Sequence, residues 1–177
     1  MPNVFFDESY SNLIDKLAIK EKDPDSDQSI YKNYYNLMIF LAMVGRHHHE
    51  NCEHGKIQGK KIHEVSDRLF EANNLDGYAY LLALDSTKDG EILRGNNDNE
   101  MWSYLEKYAN LGIQIVDTWF LKEPHLNPVD ILITQIKLEA SNQVQISEDN
   151  DNPIEIDFSY RKLNLTSKYI FSIYNNL

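Results

Sequence analysis

Between Arg46 and His63 the chain reads RHHHENCEHGKIQGKKIH, a stretch holding all but one of its six histidines and its one cysteine. Imidazole nitrogens and a thiolate are the ligands zinc favours, which makes His47, His49, Cys52 and His54 a candidate metal set. Four ligands so close in sequence leave little chain to wrap a tetrahedron, and no second pair stands at finger-like spacing. His49, Glu50 and His54 miss the metalloprotease pattern, whose two histidines stand four apart on one helix face. Gly55 to Lys61, GKIQGKK, lacks one spacer and the final Ser or Thr of a phosphate-binding loop. Cys52 becomes a nucleophile only where its surroundings lower the thiol pKa, and a lone thiol in a polar loop is commonly inert.

Cations also gather here. Arg46, Lys56, Lys60, Lys61 and Arg68 slightly outnumber Glu50, Glu53, Glu64 and Asp67, and form the candidate anion or nucleic-acid contact. Against it stands a formal charge of -11 over the chain, whose field opposes approach to phosphates, so DNA is expected to be reached only indirectly. The plain reading is a solvated connection between two helices, which gains positive charge as its histidines protonate. Carboxylates such as Asp85 with Asp89, or Asp98 with Glu100, sit at helix starts and turns, where capping accounts for them. Tyr34, Tyr35, Tyr78, Tyr80, Trp102 and Tyr104 stand at helical spacing without interleaved cations, which reads as core rather than as a base-stacking platform.

The elements that must position this stretch are mostly helical. Asn3 to Phe6 reads as a short strand, followed by a helix over 9–20 with Ser9 as cap and then a polar break around Pro24. SIYKNYYNLMIFLAMVG carries a broad apolar face (Ile30, Tyr34, Leu37, Met38, Leu41, Val44), with Ser29 placed to cap it and Gly45 to end it. HEVSDRLFEAN and LDGYAYLLALDST predict two further helices, the second with Asp76 near its start. NNDNEMWSYLEKYANLG has Asn97 or Asp98 as cap, Met101, Leu105 and Tyr108 on one face and Gly112 near its stop, and IQIVDTWFLKEP is best taken as more helix. Asn127 with Pro128 opens another. SNQVQISEDNDNP reads as an acidic linker, and the alternation of Ile154, Ile156, Phe158 and Tyr160 as a strand.

The expected fold is therefore mainly α: a helical domain over 1–140 with a short N-terminal strand, an acidic linker over 141–153 and a β-containing extension over 154–177. Strand, helix, helix is also the order of a ribbon-helix-helix start, in which the strand pairs with that of a second chain. NVFFDE offers acids rather than cations on such a ribbon, so it would serve a homodimer or subunit docking rather than base readout. At 177 residues one core is expected. The longest apolar run, Leu37 to Val44, is far short of the roughly 20 residues of a membrane span. With no basic, apolar leader at the N-terminus and one cysteine, a cytoplasmic location is expected, and no membrane partner.

From Ile30 to Ile136 the order of segments resembles the dnd system-associated protein 4 family, small proteins encoded beside bacterial DNA phosphorothioation genes. The resembling segments are YNLMIFLAMVG, KKIHEVSDRLFEAN, YLLALDSTKDGEIL, YLEKYANLGIQIV and PVDILITQI, of which YLEKYANLG is the most distinctive. None is a catalytic signature, and the family pattern does not extend to the histidine cluster. The resemblance implies a non-enzymatic accessory component of a phage-defence or DNA-modification-linked restriction system, acting in a complex with larger ATPase or nuclease subunits. It brings no active-site residues and no cofactor. Two other readings follow from the residues themselves: a DNA-binding regulator using the basic stretch 46–68, and a small metal-dependent hydrolase holding zinc on the His/Cys set.

Overall fold

Val4 and Phe6 are the inward residues of a strand, and their burial sets the N-terminal end of the core. In a computed structural model that describes residues 2–18, 30–94 and 97–148, this strand, β1 (Asn3–Asp7), pairs antiparallel with β2 (Lys61–Ser66). Between them in sequence lie α1 (Ser11–Leu17) and α2 (Tyr34–His48). After β2 come α3 (Asp67–Ala72), α4 (Asp76–Thr87) and α5 (Asp98–Lys122). These elements belong to a compact unit that ends at Pro124; α6 (Pro128–Glu148) belongs to a second unit, from His125 onward. The described part is mainly α, as the periodicity requires.

The core is built on the crossing of α2 and α5. From Leu37 to Gly45 every residue of α2 is buried, and α5 buries Met101, Trp102, Leu105, Tyr108 and the run Ala109–Ile113. Two glycines bring the backbones together. A Cβ on Gly45 would collide with the carbonyl oxygen of Tyr108, and one on Gly112 would collide with that of Leu41. Neither ends its helix, as the sequence suggested: α2 continues to His48 and α5 to Lys122. Both are places where no side chain fits, which outweighs the cost of glycine within a helix, about 1 kcal/mol.

Other boundaries move for local reasons. Asp7 rather than Ser9 caps the first turn, its carboxylate accepting from the Ser9 amide at 2.9 Å, and the α-helix starts at Ser11. The amide of Tyr31 donates to the Leu17 carbonyl at 2.9 Å in a bridge, so the second helix cannot begin at Ile30 and starts after Asn33. Ser29 and the break around Pro24 lie outside the described residues. HEVS is strand, not helix: β2 carries an extra residue opposite Phe5, with Val4 facing Val65 and Phe6 facing Ile62. His63 sits in this bulge with φ 50, the left-handed region that a β-carbon disfavours. Its ring stacks on Tyr34 at 4.5 Å between centroids, and its Nε2 lies 3.7 Å from Asp15 Oδ1.

Unlike the strand of a ribbon-helix-helix protein, β1 has both edges occupied within its own chain. One edge pairs with β2; the other is occupied by two side chains one turn apart on α5. Glu106 Oε2 accepts from the Phe5 amide at 2.9 Å, Asn110 Oδ1 accepts from the Asp7 amide at 2.9 Å, and Asn110 Nδ2 donates to the Phe5 carbonyl at 3.0 Å. Asn110 thus substitutes for the peptide group of a third strand, and an intermolecular ribbon through β1 would have to displace it. In the second unit, Asn127 caps α6 as expected, its Oδ1 accepting from the Val129 amide at 2.9 Å, with Pro128 at the first position. The helix runs through the boundary expected at 140, because 141–148 contains neither Gly nor Pro to stop it. The expected C-terminal strand lies outside the described residues.

Candidate functional site

The connection from α2 to β2 holds nearly all of the chemistry-bearing residues, and it is laid along α5 rather than left in solvent. Asn51 Oδ1 accepts from the Glu53 amide at 2.9 Å, which starts a 3₁₀ turn at Glu53–Gly55. Gly55 lets that turn touch α5: a Cβ there would collide with the Lys107 carbonyl. Tyr108, fully buried as a residue, donates its hydroxyl proton to the Glu50 carbonyl at 2.9 Å, and the Ser86 hydroxyl donates to Tyr108 in turn, also at 2.9 Å. Lys107 pairs with Glu53. Farther along, the Gln58 amide donates to the Asp7 carboxylate, and the Glu8 amide to the Lys60 carbonyl at 3.0 Å.

The candidate metal set does not converge. His47 lies in the last turn of α2 and His49 follows it; Cys52 is turned inward at 3% exposure; His54 stands on the exposed 3₁₀ turn. Among the described residues no three of these four bring their ligand atoms together. Burial pushes the Cys52 thiol up, against the smaller opposing pull of Lys107, so the thiolate a nucleophile or ligand requires is disfavoured.

The cationic set is largely neutralised within the chain. Arg46 pairs with Asp85, Lys60 with Glu8 at 3.3 Å, and Lys61 with Glu106 at 3.1 Å, its ammonium also lying 4.7 Å from the centre of the Phe5 ring. Lys56 and Arg68 are exposed and lack an ion pair among the described residues. Asp85, which the sequence places at a turn, joins Arg46 of α2 to Lys88 just past α4. Partial burial pushes its carboxyl up, but hydrogen bonds from Arg46 and Lys88 outweigh that and hold it below the usual range.

The contacts that Glu106, Lys107, Tyr108 and Asn110 make with β1 and with the connection escape the sequence reading because those partners lie more than forty residues away. Asn110 alone leaves a trace, as a polar residue between the apolar Ala109 and Leu111 where the α5 pattern calls for burial. The aromatics divide: Trp102 is core, Tyr34 and Tyr35 pack on His63 and Phe70, and Tyr80 is exposed.

Fold and site together define a mainly helical protein with a two-stranded ribbon, in which Tyr108 and Lys107 fasten the connection after α2 to the central helix. The family model described as DNA sulphur modification system-associated protein 4 matches residues 8–153, and the chain belongs to that family. The match reaches well past the Ile30–Ile136 span on which the sequence resemblance rests. No curated protein and no solved structure matches the chain. No helix among the described residues is long and apolar enough to cross a membrane.

Proposed function

We propose that this chain is a non-catalytic accessory subunit of a bacterial antiviral defence system linked to DNA phosphorothioation. It works in the cytoplasm by protein contacts with larger ATPase or nuclease subunits, and meets DNA only through them. Membership of a family named for association with a DNA sulphur modification system supports the setting. The observation that carries the non-catalytic reading is the fate of the 46–63 cluster: Cys52 is inward, Arg46 and Lys61 are paired, and the connection is hydrogen-bonded to α5. Groups held this way are anchors.

Co-expression with the products of adjacent genes, followed by capture on a tag and mass determination under native conditions, tests this. A retained partner is expected. A lone monomer that keeps no neighbour, or turnover by the isolated chain that a single polar substitution abolishes, overturns the proposal. Direct DNA contact through Arg46, Lys56, Lys60, Lys61 and Arg68 is disfavoured by the same pairing. Salt-sensitive retention of duplex DNA, lost in Lys60→Glu/Lys61→Glu, would reinstate it.

A further inference from the structure

We infer that the outward face of α4 docks an amphipathic helix of a partner subunit whose polar side carries Lys or Arg. This rests on the accessory-subunit reading and specifies which surface serves it. The helix is apolar on both sides. Ala79, Leu82 and Ala83 face the core, while Tyr80, Leu81 and Leu84 are 37%, 38% and 36% exposed. Leu81 lies three residues and Tyr80 four before Leu84, so the exposed groups form one continuous strip a turn long. A surface helix normally turns a polar face to water; one that is apolar all round belongs in an interior. Among the described residues nothing covers this strip.

Charge decides which occupant fits it. Asp76 stands one turn before Tyr80 on α4, and after partial burial the charges of Asp76, Glu71 and Asp98 raise the Tyr80 hydroxyl pKa. Two cations that follow the strip in sequence are already engaged, Lys88 with Asp85 and Arg94 with Glu91, and Arg68, one turn before Glu71 on α3, offsets only one of the three acids. The rim is therefore acidic, in a chain whose net charge is -11. A second copy would bring the same acids face to face, and an anionic lipid surface would be repelled. A helix with apolar residues at i, i+3 and i+4, flanked by Lys or Arg, satisfies both the strip and its rim.

The test uses the full chain and two synthetic amphipathic helices with the same leucine face, one carrying Lys and the other Glu on its polar face, titrated by fluorescence anisotropy. The Lys peptide is expected to bind, more weakly as salt rises, and the Glu peptide not to bind. Leu81→Ser/Leu84→Ser, at exposed positions, should weaken binding roughly tenfold or more with the circular dichroism unchanged. Glu71→Lys, also exposed, should shift preference towards the Glu peptide. Equal binding of both peptides, no binding of the Lys peptide, or affinity indifferent to the leucine changes overturns the inference. So does a native dimer that the double variant dissolves, since the occupant would then be a second copy. Capture of co-expressed neighbours separates the two proposals. If the double variant still retains them, the accessory reading stands and this face falls; if the unaltered chain retains none while the Lys peptide binds through the leucines, the face stands and the accessory reading falls.

Discussion

Gly45 and Gly112 face each other where α2 crosses α5: a Cβ added to Gly45 would lie 2.9 Å from the amide nitrogen of Gly112. A methyl at either position must push the helices apart or bend them. Gly45→Ala and Gly112→Ala are each expected to lower stability by about 3 kcal/mol. Gly77 in α4 has open space around it, and Gly77→Ala should raise stability by about 0.5 kcal/mol. Urea unfolding of the three variants checks this; similar small effects at all three would mean that the crossing tolerates a side chain.

Asn110 replaces a missing strand, so its loss should be felt on β1 and not only on α5. Asn110→Leu keeps the volume but leaves the Asp7 amide and the Phe5 carbonyl without partners, at about 3 kcal/mol. Hydrogen exchange should accelerate at the Asp7 amide more than at the Phe5 amide, which Glu106 still holds. Equal protection at both would contradict the arrangement.

Asp85 should make folding acid-sensitive. Its carboxyl is held below the ordinary aspartate value of 3.8 in the folded chain, so the unfolded chain binds the proton more readily. The stabilisation is complete above that value and is lost as pH falls through it towards the lower folded pKa. Asp85→Asn should cost about 1 kcal/mol at neutral pH, the site being partly exposed, and should flatten the dependence of stability on pH below about 4. Urea midpoints between neutral pH and pH ~3 give both quantities; an unchanged acid slope in the variant would count against the assignment.

Cys52 should behave as a core residue. Inward placement and a raised thiol pKa predict that a disulfide reagent labels the native chain roughly a hundredfold or more slowly than the urea-unfolded chain. Labelling at the unfolded rate under native conditions would reveal an accessible, activated thiol and reopen the catalytic reading.

The helices were legible because burial on one face leaves a period in the sequence; α2, α4 and α5 carry it, and the Asn127–Pro128 pair announces α6. The ribbon was half legible. β1 alternates cleanly, but the bulge spaces Ile62 and Val65 three apart, which imitates a helix and hides β2. Gly45 and Gly112 were visible as glycines and misread as terminators, since a sequence shows that no side chain stands there and not which neighbour forbids one. In the histidine-rich connection, residue types were plain while partners were not. The groups that fasten it, Lys107 and Tyr108 above all, come from a helix distant in sequence, and charge counting along the chain does not see pairs such as Arg46 with Asp85.

The extra residue in β2 fixes the phase of the ribbon. With three steps on one strand answering two on the other, sliding β2 along β1 by a residue restores no matched ladder and would turn Val65 out to water. Shortening or lengthening the chain between Gly59 and Ser66 should therefore undo the ribbon outright instead of re-registering it, and any relative of this chain that keeps the ribbon should keep that segment's length.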